Sequence, residues 1–163
     1  MNSNELNLFY QKAGEAVWHL QYVEDFLAKL YVIKAVIIEP GSMEEEFAYK
    51  ELEKVNRKTL GQLIGLAEAK AIVSPNLLKE LKDFNDLRIW VVHRSNRESR
   101  YSLYTDTGRN EFLNKMSNFV SMSVKLQSSL KNELVVYGSR CGISEEEVTE
   151  IAEKNLSSLR GEI

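Results

Sequence analysis

Only two prolines, Pro40 and Pro75, interrupt a chain of 163 residues, so its secondary structure must come in a few long pieces. The first long piece, about residues 4–38, has a helical period. Leu6, Ala13, Leu20 and Leu27 fall on one heptad row, with Phe9, Ala16, Val23, Leu30 and Ile37 on the next. Tyr10, Val17, Glu24 and Tyr31 form a third row beside them. Three neighbouring rows make the wide apolar face of a bundle helix, broken in the middle by Glu24. Glu39-Pro40-Gly41 is a stop signal.

The remaining segments carry the same period. Ser42-Met43-Glu44-Glu45 reads as a capping box opening a helix over about 43–56. Thr59-Leu60-Gly61-Gln62 opens another over about 60–71. Ser74 before Pro75 starts a third over about 75–93, with Leu77, Leu81, Phe84, Val91 and Val92 on one face. The polar, basic stretch 94–108, RSNRESRYSLYTDTG, reads as a loop. A long helix over about 109–137 turns Phe112, Met116, Phe119, Leu126, Leu130 and Leu134 inward and stops at Gly138. Ser144 to Glu147 caps a last helix over about 145–158, whose inward face is Val148, Ile151, Ala152 and Leu159. Connections this short make successive helices antiparallel, so the expected fold is all-α, an up-and-down bundle of about five to six helices. A single domain over 1–163, with its bundle core at about 5–138 and the short C-terminal helix outside it, suits this length.

Composition removes several function classes. Hydrophobic residues at 44% beside 28% charged residues exclude wholesale disorder. Cys141 is the one cysteine, so there is no internal disulfide framework, and a reducing compartment is expected. The opening MNSNELNLFYQ lacks a basic stretch followed by an apolar one, and no apolar run is long enough to span a bilayer. A cytoplasmic protein without membrane contact is therefore expected. A net charge of −3 argues against a global field for duplex nucleic acid, although 94–100 is locally basic. No histidine or cysteine spacing suggests a metal site, and no glycine-rich loop a nucleotide, so no cofactor is expected.

One residue is out of place. On a regular helix over 75–93, Arg88 lies in the middle of the apolar face. Its guanidinium cannot lose a proton, so it needs a carboxylate, solvent or an anionic ligand. Glu24 interrupts the first helix in the same way and is the first-choice partner, with Arg88 largely buried against it. Either the two form a structural pair that fixes helix register, or they mark an internal polar site. His93 follows Arg88 by five residues, about 140° around a regular helix, so the two share no face unless the helix unwinds or a second subunit contributes. His19, beside the apolar stripe of the first helix, has no ligand spacing around it.

The segment Arg88-Ile89-Trp90-Val91-Val92-His93-Arg94, preceded by Phe84-Asn85-Asp86-Leu87, resembles the Arg-x4-His motif of the HEPN superfamily. These are small all-α domains, many with a metal-independent ribonuclease site at a dimer interface. The long first helix with its internal Glu24 agrees with that layout over roughly 5–138. The resemblance implies Arg88 and His93 as catalytic residues, Glu24 and Asn85 as supporting ones, and a homodimer cleaving single-stranded RNA. It further implies a toxin or defence effector held by an inhibitory protein partner. Active members usually carry a polar residue after the arginine, and here it is Ile89. Silent members, which act through dimerisation or partner binding, are therefore the rival reading.

In an active site of this kind, His93 moves the proton of a ribose 2′-hydroxyl and Arg88 holds the scissile phosphate. Arg94, Arg97 and Arg100 would meet flanking phosphates, with Tyr101 and Tyr104 available to stack on unpaired bases. A solvated charged turn explains that segment equally well. Trp18, on the outer side of the first helix, reads as a packing or interface group.

Overall fold

The computed structural model describes residues 3–37 and 41–160, without the side chains at 3, 4, 145, 151, 152, 155, 156, 158 and 159. Among the described residues there is no strand, and none of the helices is long and apolar enough to cross a membrane. Helix α1 spans Ser3–Tyr31, α2 Glu45–Asn56, α3 Leu60–Ala69 and α4 Pro75–Ile89. After them come α5, Ser95–Ser99, then α6, Asp106–Arg140, and α7, Glu145–Leu159. Two π turns are inserted, Val32–Val36 after α1 and Trp90–Arg94 between α4 and α5.

Caps place most of these starts. The Thr59 hydroxyl accepts from Gln62 N–H while the Gln62 side chain accepts from Thr59 N–H, a complete capping box. Ser74 accepts from Leu77 N–H ahead of Pro75, and Ser144 exchanges bonds with Glu147. The expected box at Ser42 does not cap α2, whose N-cap is Glu44 with no side-chain cap bond. The stop expected at 39–41 falls largely on 38–40, outside the described residues. Gly138 lies inside α6, which ends two residues later. The left-handed residue that reverses the chain is Gly142, at φ +79°.

The segment 94–108 is not a loop. It continues the α4 rod through the π turn and α5, then closes in a 3₁₀ turn at Ser102–Tyr104 against the start of α6. Polar composition hid this because the contacts are made by backbone. Arg109 donates to Leu103 C=O at 3.0 Å and pairs with Glu5 at 3.7 Å. Any side chain at Gly108 would collide with the Ser102 carbonyl.

Directions follow from cross-helix pairs. Glu80 meets Lys125, Phe84 stacks on Phe119 at 4.6 Å and Trp90 meets Phe112, so α4 runs antiparallel to α6. Phe9 meets Phe112, His19 meets Gln127 and Lys34 meets Glu133, so α1 and α6 run parallel. The result is an up-and-down bundle with α1 and α6 central and α3 and α4 packed across them. Its core is aliphatic and phenyl, including Leu27, Leu30, Leu81, Phe84, Phe119 and Leu130. Burying each of these contributes about 1.5–3 kcal/mol.

Two apolar faces are only partly covered. On α1 the third row is exposed at Tyr10 and Val17, because no element packs over that side. Val148 of α7, expected inward, is exposed too. It borders an open apolar cleft of about 860 Å³ that also touches Phe26, Ile33 and Leu134. The other inward residues expected on α7, Ile151, Ala152 and Leu159, lie outside the described side chains.

Candidate functional site

The centre of the site is a backbone irregularity. A π turn closes i→i+5 hydrogen bonds, here from Ser95 N–H to Trp90 C=O. The extra residue in the turn cancels much of the 140° that separates Arg88 from His93 on a regular helix. Arg88 Nη1 lies 3.3 Å from His93 Nε2. The same change of register leaves Val91 buried while Val92, expected on the core stripe, is 43% exposed.

A guanidinium has donors only, so a hydrogen bond in this contact has Nε2 as its acceptor. The Arg88 side chain is half-buried and its Nε is buried with no hydrogen-bond partner. Helix packing aims the guanidinium toward the surface, where His93 is exposed.

The expected bond from Arg88 to a carboxylate is not made. Glu24 instead accepts from Leu60 N–H at 3.1 Å, at the first turn of α3. An open helix N-terminus is a natural carboxylate site. Burial raises the Glu24 carboxyl above its ordinary range, opposed by the Leu60 bond and by the charge of Arg88. The two charges therefore feel each other without touching. Asn85, one turn before Arg88, packs by Gly61, where a Cβ would come within 3.5 Å of its amide. Glu24 and Asn85 each lie against the start of α3, at Leu60 and Gly61, rather than on the Arg88–His93 pair.

Trp90 anchors the π turn in a way the sequence did not reveal. Its indole N–H donates to Glu98 at 2.8 Å, Lys115 sits 3.7 Å above its ring, and Phe112 packs at 6.0 Å between centroids. Trp90 and Glu98 are eight residues apart and the bond between them spans the π turn and α5. Lys115 comes from α6 and has no sequence signal pointing to it.

Arg94, Arg97 and Arg100 are all exposed, as are Tyr101 at 81% and Tyr104 at 80%. Arg94 ends the π turn, Arg97 lies on α5, Arg100 and Tyr101 form the turn after it, and Tyr104 closes the 3₁₀ turn, all in one stretch following His93. His19 is structural, its ring and carbonyl both meeting the Gln127 amide across α1 and α6. Among the described residues no group of three or more histidine, cysteine or acidic side chains is arranged to hold a metal. The fold and site together define a helical bundle in which a half-buried arginine at the end of α4 meets an exposed histidine on the π turn that follows. No family model, curated protein or solved structure matches the chain.

Proposed function

We propose that the protein is a HEPN-like, metal-independent endoribonuclease of toxin or defence type. The observation that carries this reading is the 3.3 Å contact of Arg88 with His93, made possible by the π turn. A helix that departs from regular geometry at the one place where the two residues need to converge is better explained by use than by packing.

As substrate draws the Arg88 guanidinium onto the phosphate, the freed His93 Nε2 takes the proton of a ribose 2′-hydroxyl while the 2′-oxygen attacks the adjacent phosphorus. The bond from phosphorus to the 5′-oxygen breaks, giving a 2′,3′-cyclic phosphate and a 5′-hydroxyl. Arg88 holds two phosphate oxygens and offsets the charge that grows on them. In a two-fold assembly the partner's His93 supplies the proton for the leaving oxygen. Arg94, Arg97, Arg100 and Tyr101 carry the flanking single strand. An inhibitory protein partner covering this exposed row fits the toxin reading.

A second reading is a silent bundle acting as a dimerising or protein-interaction module. It is favoured by Ile89, an apolar, half-buried residue beside Arg88 where active HEPN members usually carry a polar one. Purified protein incubated with mixed RNA in EDTA separates the two. Cleavage by wild type, falling by about 10²–10⁴-fold in His93→Ala, supports the nuclease. Intact RNA with wild type leaves the module.

A further inference from the structure

The outward side of α1 is unlike an ordinary solvated helix face. From Leu6 to Tyr22, every residue exposed to solvent is uncharged. The only charged residues in that stretch, Lys12 and Glu15, are half-buried and pair with each other at 2.8 Å. In a chain with 28% charged residues, a solvated helix face would carry several. Aromatics take their place, with Tyr10 68%, Trp18 63% and Tyr22 43% exposed. Loss of charge with gain of aromatics is the composition of an interface core.

Gly14 sits in the middle of this face, and a Cβ there would meet nothing within 4 Å. Glycine weakens a helix interior relative to alanine, and no internal contact calls for it. Tyr10, Gly14, Trp18 and Tyr22 are spaced by four, so they form one ridge of the kind that interdigitates in helix packing. The ridge has a recess at Gly14 and a knob at Trp18. An antiparallel pairing centred at the level of Ala16 sets Tyr10 against Tyr22 and the Trp18 knob against the Gly14 recess.

We propose that this face is an isologous dimer contact, in which α1 packs antiparallel on α1 of a second copy. Each Trp18 fills the recess at the partner's Gly14, and each Tyr10 meets the partner's Tyr22. Six aromatics with about 150–250 Å² apiece, roughly half of it open, supply on the order of 600 Å². Val17, Leu6 and the amides of Gln11 and Gln21 bring the contact toward the roughly 1,000 Å² of a specific interface. Tyr10 and Val17 precede Glu24 on its heptad row, and the π turn bearing His93 packs on α1, so the seam runs beside the site. The inference rests on the proposed function only in taking a second copy as the occupant.

Light scattering at micromolar concentration is expected to show a wild-type dimer and a monomeric Trp18→Glu with unchanged helicity. Gly14→Leu, which fills the recess, should weaken the dimer at least tenfold. In a Cys141→Ser background, Gln11→Cys with Gln21→Cys should cross-link two chains on oxidation, while neither alone does. Cross-linking by the single variants overturns the antiparallel register. A monomeric wild type overturns the contact and the composite site together. A dimer that survives Trp18→Glu overturns this surface and leaves the nuclease reading standing. A monomeric Trp18→Glu that still cleaves RNA upholds the surface and removes the composite site.

Discussion

The two π turns are the same backbone device in opposite states of satisfaction. At Val32–Val36 the turn carries Lys34, whose ammonium meets the Ile72 carbonyl at 2.9 Å and Glu133 at 2.7 Å, with the Tyr137 ring 5.7 Å away. It ties the end of α1 to the α3–α4 connection and to α6. At Trp90–Arg94 the turn brings together Arg88 and His93, yet Arg88 Nε stays without a partner and no carboxylate closes the pair. A turn whose polar groups are all used is architecture. One that assembles polar groups and leaves them short of partners has capacity for a ligand, and an anionic one given the charge.

The largest test of this contrast exchanges each cation for methionine, which keeps the length of the stem. Arg88→Met should abolish RNA cleavage, by at least about 10²-fold, while raising stability by about 1 kcal/mol as the unpartnered donor leaves the interior. Lys34→Met should do the reverse. It strands Glu133 and a carbonyl in a half-buried setting, at a cost of about 1–3 kcal/mol, and leaves cleavage unchanged. Urea unfolding beside a gel-based RNA assay reads both. A Lys34→Met protein of wild-type stability, or a destabilised Arg88→Met, would erase the distinction between the turns.

How far these features could be read in the sequence depends on the kind of interaction that makes them. The apolar rows of α1, α4 and α6 and the caps at Thr59, Ser74 and Ser144 are local patterns, and they specify the bundle. Arg88 was visible as a misplaced charge for the same reason. The π turns were not visible, because an inserted residue leaves no compositional trace and the five-residue spacing of Arg88 and His93 counts against contact on a regular helix. Glu24 stands out in the sequence as an anomalous charge, but nothing in a one-dimensional pattern places the open N-terminus of α3 beside it. The ordering of 94–108 depends on backbone acceptors and on Gly108, which polarity alone cannot show.

A middle-sized effect is expected at the Trp90 anchor, which the Lys34 turn lacks. Glu98→Ala leaves the indole N–H without its acceptor and should cost about 0.5–1.5 kcal/mol. With the π turn less fixed, His93 drifts from Arg88 and cleavage falls by about tenfold. Lys115→Ala removes the cation above the ring, worth about 0.5–1 kcal/mol at a surface site, with a smaller loss of activity. The informative quantity is the ratio of effects. If Glu98→Ala lowers stability yet leaves the cleavage rate untouched, Trp90 supports the fold and does not position His93.

The smallest effect is a pH dependence at Glu24, where the two charges act without contact. Burial raises its carboxyl pKa above the ordinary 4.5, and the Leu60 bond and Arg88 only partly oppose this. The native state then holds a proton that the unfolded chain releases, so this group's contribution is fully present below pH 4.5 and is lost as pH rises through the raised value. Glutamine at this position still accepts from Leu60 N–H and has no charge to desolvate. Glu24→Gln should thus match wild type near pH 4 and exceed it at neutral pH, by less than about 1 kcal/mol. In an Arg88→Met background the favourable charge is gone, burial acts unopposed by it, and the neutral-pH gain from Glu24→Gln should grow. Thermal melts of the four proteins across pH 4–8 measure that coupling. A gain that is the same with and without Arg88 would mean that the arginine does not act on Glu24, and the pair would no longer count as one site.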